Sequence, residues 1–335
     1  MRLLPALALA PMLAPMLALA VPAAAQEAEP PTPASIVAAA PASDWRPIEP
    51  ADLLVMDLAP DRDGKPRRVV IQLMPAPFSQ GWVENIRALA KAHWWDGTSV
   101  YRVVDNWVAQ WGDGEDDEAK AKPLPAGVTS PATAYEVADA PFTSAAFGTH
   151  FVLNPLADSP AVVGDKVILR DIERTHYATF FEGFPVAGYE NPHHGISWPI
   201  HCYASVGVAR DTDTTGTGSE LYAVIGHAPR QLDRNIAVVG RVIEGIEHLS
   251  TLPRGKGDAG VYDDPAQRVP IVSVRLGSEV PELPQPHFEY LASDSASFAE
   301  YVRVRANRND AFYKVPAGGI DVCNVQVPIR RVPSE

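Results

Sequence analysis

The chain has 335 residues, of which 41 are acidic and 28 basic, giving a formal net charge of -13 and a pI near 5.1. That length allows one large domain or two small ones with a sizeable core. The charge argues against a nucleic-acid binder that relies on phosphate contacts, and two cysteines are too few for a disulfide-dense scaffold.

In chain order, Met1 to Ala25 reads as a secretory signal peptide. Arg2 supplies the positive start, Leu3 to Val21 is mostly Leu, Ala, Met and Pro, and Ala23-Ala24-Ala25 offers a small-residue cleavage site before Gln26. Pro5, Pro11 and Pro15 interrupt the apolar run, which disfavours a retained membrane helix, and no cysteine stands at the cleavage site for lipid attachment. The expectation is an exported protein, periplasmic in a bacterial cell, with no membrane partner once the signal is removed. Residues 26–65 are rich in Pro, Ala and Glu and read as a linker. Val69 to Leu73 is a compact apolar strand. Ser79 to His93 follows as a helix, capped by Ser79, with Val83, Ile86, Leu89 and Ala90 on one buried face.

Tyr101 to Asp113 comes next. Arg102 to Gln110 reads as strand, turn at Asp105-Asn106, and strand, with Trp107 and Ala109 facing one way and Val108 and Gln110 the other. Taken alone, Arg102 is best read as a sheet-edge ion pair, because a guanidinium beside apolar surface needs an acceptor. Gly114 to Lys122 reads as a solvated charged loop, with metal binding by Glu115, Asp116, Asp117 and Glu118 the lesser reading. Phe147 to Leu153 and Lys166 to Leu169 are predicted strands, so this region can carry its own hairpin. His193, His194 and His201 match no zinc spacing, and His176 to Trp198 reads as a polar loop.

Glu244 to Leu252 is a second predicted helix with Ile246 and Leu249 inward, and Pro270 to Leu276 alternates as a closing strand through Ile271, Val272, Val274 and Leu276. Pro281, Pro284 and Pro286 mark a linker. Ser295 to Arg308 is predicted as a helix with Phe298, Tyr301 and Val302 on one side. Cys202 and Cys323 either pair in an oxidising compartment or stand as small buried hydrophobes. A thiol hydrolase built on His201-Cys202 is disfavoured, because strand neighbours face opposite sides.

Two separated blocks resemble the cyclophilin peptidyl-prolyl isomerases. In the first, Trp95-Asp96-Gly97 stands at the family's aromatic-Asp-Gly turn and Val100-Tyr101-Arg102 at its Phe-His-Arg strand. Trp107-Val108 takes its aromatic-Met pair, and Gln110-Trp111-Gly112-Asp113 its Gln-Gly-Gly-Asp. In the second, Val208-Ala209-Arg210-Asp211 resembles Ser-Met-Ala-Asn and Gly218-Ser219-Glu220-Leu221-Tyr222 resembles Gly-Ser-Gln-Phe-Phe. Leu232-Asp233 followed by Val238-Val239-Gly240-Arg241-Val242 resembles Leu-Asp and Val-Phe-Gly-Lys-Val. The resemblance implies a mainly β fold, a closed antiparallel cyclophilin-like barrel capped by two helices. It covers residues 66–278, with an insertion at about 114–200 and an extension at 279–335 packing on the barrel; Val69 to Leu73 becomes its first strand.

The implied activity is cis-trans isomerisation of X-Pro bonds in exported client proteins, with proline-containing segments as partners and no cofactor or metal. By resemblance Arg102 is the catalytic donor and Gln110 the amide that orients it. Trp107, Val108, Tyr222 and Leu232 fall at proline-pocket positions. Departures accompany the match: Glu220 replaces the family's Gln, Ile236 its active-site His, Val108 its Met and Trp111 a Gly, and Gln231 stands where some relatives carry a Trp. Together they imply weak cyclosporin binding and catalysis reduced or tuned to different flanking residues. Glu220 is expected near Arg102, either orienting the guanidinium or locking it away. The alternative is a cyclophilin-fold peptide-binding or chaperone module with little or no catalysis.

Overall fold

Continuous apolar runs, bounded by turns, set the architecture of this computed structural model. It describes residues 30–115, 117, 119–132, 135–138, 162–163, 166–167, 177–190, 195–280, 287–308, 310, 312–315 and 317–332. The expectations for residues 1–25, Asp116, Glu118, Phe147–Leu153, Ile168, Leu169, His193, His194 and the linker prolines Pro281, Pro284 and Pro286 fall outside them. Residues 31–335 form one compact unit. The described strands, in chain order, begin with β1 (Trp45–Ile48), β2 (Leu53–Leu58), β3 (Arg67–Leu73), β4 (Ser99–Val103) and β5 (Val108–Gly112). There follow β6 (Val137–Ala138), β7 (Val162–Val163), β8 (Lys166–Val167), β9 (Tyr177–Phe181), β10 (Phe184–Glu190) and β11 (Gly195–Pro199). The last are β12 (Ser205–Val208), β13 (Leu221–Val224), β14 (Val238–Glu244), β15 (Val269–Leu276), β16 (Phe288–Leu291) and β17 (Ile329–Arg331).

Eight of them close into a mainly antiparallel barrel in the order β12-β13-β5-β4-β15-β2-β3-β14. Alternate side chains fill its interior: Leu54, Met56 and Leu58 from β2, Val69 and Ile71 from β3, and Ala109 and Trp111 from β5. Helix α2 (Gln80–Lys91) closes one end with Trp82, Val83, Ile86, Leu89 and Ala90, as its 3.6-residue spacing requires. The second helix, α3, is shorter than expected (Glu247–Ser250), with Leu249 buried and Ile246 at its margin. Ser79 does not cap α2 through its side chain; it turns into the helix in the left-handed region, at φ 54°.

The stretch expected as a linker is corrected. Residues 33–39 form α1 (Pro33–Ala39), started by a Thr32–Ser35 capping box, and β1 pairs with β16. Strand β2 belongs to the barrel, between β15 and β3, so the barrel begins at Leu53. The polar loop expected over His176 to Trp198 is corrected too: β6, β11, β10 and β9 form a four-stranded antiparallel sheet. Of the two strands predicted here, Lys166–Val167 is described as β8, and it pairs with Val162–Val163 (β7), which was not expected as a strand.

The extension forms β16, α4 (Ala296–Ala306) and β17, with Ser295 capping α4 and Phe298, Tyr301 and Val302 buried. It packs in two directions. Phe288 and Tyr290 lie against Leu53 and Val70 on the outside of the barrel, while Phe298 meets Phe180 of the inserted sheet. Cys202 and Cys323 form a disulfide joining the barrel to the extension across 121 residues.

Candidate functional site

Three neighbouring strands bring the expected residues into one row. Arg102 on β4 stands opposite Gln110 on β5, and Gln110 opposite Tyr222 on β13. The register of β4 shifts between Val100 and Arg102, a bulge that breaks the alternation, so Tyr101 and Arg102 both line the outer face. Trp107, expected to side with Ala109, instead sits in the turn before β5 and joins the outer cluster. That cluster has Val108, Tyr222 and Val224 buried at its centre, with Trp107, Leu232 and Ile236 packed against it. Above it opens a cleft of about 550 Å³. All eight residues singled out from the sequence line this cleft: Arg102, Trp107, Val108, Gln110, Glu220, Tyr222, Leu232 and Ile236.

The Arg102 guanidinium is fixed on two sides. Its Nη1 donates to Gln110 Oε1 at 2.8 Å and its Nε to the Ala259 carbonyl at 2.7 Å, while its carbon lies 5.3 Å from the Trp107 ring centroid. Its Nη2 has no protein acceptor among the described residues. Burial lowers its pKa from the ordinary value, but a guanidinium stays cationic at neutral pH. Gln110 is held in turn by donating its Nε2 to the Tyr101 hydroxyl. The orienting chain Tyr101–Gln110–Arg102 is therefore built from one strand pair.

Glu220 does not lock Arg102. Its Oε1 accepts the Asp113 N–H at 2.7 Å, and Oε2 is buried without a hydrogen-bond partner of good geometry. The carboxyl lies against Gly112, where a Cβ would come within 2.2 Å of the carboxyl carbon, so the glycine leaves it room. Burial outweighs the help of the Tyr101 hydroxyl and the Asp113 N–H and pushes the Glu220 carboxyl up to about 7. Trp111, where the family has a Gly, points into the barrel core and leaves the cleft open.

Sequence reasoning missed Tyr101, because strict alternation sends it to the other face. It also missed His201, the buried hydrogen-bond partner of the Tyr222 hydroxyl, and Asp233, the partner of His201 in turn; their only hint in the sequence is their place beside Cys202 and Leu232. The metal reading of His201 gives way to these contacts, since its ring nitrogens meet Asp233 and Tyr222.

The described fold and site are thus a closed antiparallel barrel carrying an Arg-Gln pair beside an external, largely apolar cleft. A protein-family model described as "Cyclophilin type peptidyl-prolyl cis-trans isomerase/CLD" matches residues 65–276, and the chain belongs to that family. Among solved structures, the chain is similar to cyclophilin AquaCyp293 from Hirschia baltica, with 21% identity and a TM-score of 0.60. That match covers 91% of this chain and 99% of that one, and shows a shared fold. A cyclophilin-type isomerase from Cryptosporidium parvum, solved in the presence of the dipeptide Ala-Pro, matches at 12% identity and a TM-score of 0.35. The match covers 66% of this chain and 98% of that one. No curated protein sequence matches.

Proposed function

We propose that the chain accelerates X-Pro isomerisation in exported client proteins by twisting the prolyl amide against Arg102. The observation that carries this reading is the anchored guanidinium, held by Gln110 and the Ala259 carbonyl with Nη2 left over at an apolar cleft. Rotation about the X-Pro bond breaks C–N resonance, a barrier of about 18–20 kcal/mol. As the bond twists, the nitrogen lone pair localises and becomes a hydrogen-bond acceptor. A fixed cationic donor binds that state better than the planar amide and so lowers the barrier. Val108, Tyr222, Leu232 and Ile236 hold the ring by apolar contact, and no proton is transferred. Ile236, where the family has a His, adds apolar surface beside the ring.

Two features support an exported setting. The first 25 residues carry the charge, apolar run and small-residue pattern of a secretory signal, and a Cys202–Cys323 disulfide fits an oxidising compartment. The test is exchange spectroscopy on a proline-containing peptide with wild type and Arg102→Ala. We expect the substitution to lower kcat/KM by roughly 100-fold, the scale for loss of one transition-state donor. Equal rates for the two proteins, with both folded, would remove Arg102 from the mechanism.

A further inference from the structure

We propose that His201, gripped by Asp233, is a positioning residue for the prolyl cleft, fastening its Tyr222 floor and its Leu232–Ile236 wall into one unit. This rests on the isomerase reading above. His201 is fully buried, at 0% exposure, just before β12. Its Nδ1 lies 2.9 Å from Asp233 Oδ1, and its backbone N–H donates to the same oxygen at 2.9 Å. Its Nε2 lies 2.9 Å from the Tyr222 hydroxyl, with the two rings nearly parallel at 13°. Arg230 Nε donates to the other Asp233 oxygen at 2.5 Å.

The Asp233 contact assigns one proton. A carboxylate only accepts, so His201 Nδ1 carries hydrogen, and Nε2 and the Tyr222 hydroxyl share the second hydrogen bond. Every link is satisfied in a buried setting, where an unpaired member is costly. The family's Phe at position 222 would fill the same space without a handle; the tyrosine hydroxyl supplies one. Its ring lies over Gly207, where a Cβ would come within 2.4 Å of the hydroxyl oxygen, so the floor has a single seat. Asp233 follows Leu232 directly, and the Ile236 N–H closes back on the Leu232 carbonyl. One carboxylate therefore orients the ring beneath the floor and anchors the wall. On the other side of His201, Cys202 is tied to Cys323, so neither flank is loose.

The test separates kcat from KM for an Ala-Pro-containing peptide in wild type, His201→Phe, Tyr222→Phe, their double variant, Asp233→Ala and Asp233→Asn. Peptide affinity by NMR titration, thermal unfolding and the ring ¹⁵N shifts of His201 are recorded alongside. A lost orienting hydrogen bond predicts about a tenfold rise in KM for His201→Phe, with kcat within about threefold. Tyr222→Phe should match it, and the double variant should be no worse than either single one, because both break the same link. Asp233→Asn, which keeps an acceptor for Nδ1–H, should recover most of the loss seen in Asp233→Ala. The ¹⁵N shifts should report a protonated Nδ1.

An unchanged KM in folded His201→Phe, or additive losses in the double variant, overturns the proposal and leaves His201 as filler. If His201→Phe does not fold, the Asp233 pair decides: equal KM values for Ala and Asn overturn the proposal. Failure of the isomerase reading looks different, because wild type would then show no exchange while the peptide affinities still order the variants.

Discussion

At the residue scale, Glu220 sets this cleft apart from its family, because a carboxyl stands where the family has a neutral amide. With its pKa raised from 4.5 to about 7 by burial, the folded protein holds that proton more tightly than the unfolded chain. The associated stability is complete below the unfolded value and is lost as pH rises through about 7. Urea unfolding of wild type should therefore show stability falling between about pH 4.5 and 7. Glu220→Gln keeps an oxygen for the Asp113 N–H, should flatten that slope, and should gain about 1–3 kcal/mol at pH 8; the cleft's solvent access favours the lower end. Parallel pH profiles for the two proteins would contradict this. Residues matched to a family motif were legible because each carries its chemistry in its own side chain. That Glu220 turns to the Asp113 N–H and not to Arg102 was not, since a bulge and a backbone N–H decide where those side chains go. His201 stayed hidden for a similar reason: its partners lie 21 and 32 positions away.

At the element scale, β3, β4, β5, β15, α2 and α4 could be read from spacing and turn signals, β12 to β14 came with the family resemblance, and β2 could not be read. Its run Leu53-Leu54-Val55-Met56 lacks alternation because both faces are covered, inside by the barrel core and outside by Phe288 and Tyr290. Surrounding Pro and Ala then disguised it as linker. The continuous apolar run was the available signal. The inserted sheet was disguised in the same way by flanking histidines, although Tyr177 to Phe181 has strand composition. A truncation measures the difference. A chain beginning at Pro31 should unfold as cooperatively as the full chain. One beginning at Lys65 lacks β2, leaves β15 and β3 unpaired along that edge, and should show no cooperative melt. A sharp transition in the shorter chain would mean that β2 is dispensable.

At the scale of the whole molecule, the additions to the barrel are tied to it at identifiable points. Arg241 on β14 donates to Gln72 Oε1 and to the Gly183 carbonyl of the inserted sheet, with its guanidinium carbon 4.6 Å from the Phe184 ring centroid and 6.0 Å from that of Tyr290. The Cys202–Cys323 disulfide closes a second tie. Cutting so long a loop should cost about 2–5 kcal/mol, so Cys323→Ser should melt several degrees lower while the barrel stays folded. An unchanged melting temperature would show that packing alone holds the extension. None of these ties crosses the cleft, so the proposed catalysis is local, with Arg102 acting on a prolyl bond bound over Val108 and Tyr222. Exchange NMR on one Ala-Pro-containing peptide tests it most directly, because it reads binding and cis-trans exchange in the same sample. Wild type should show fast catalysed exchange, and Arg102→Ala retained binding with exchange near the uncatalysed rate. Binding by wild type with no acceleration would contradict it and leave the cleft a peptide-holding surface.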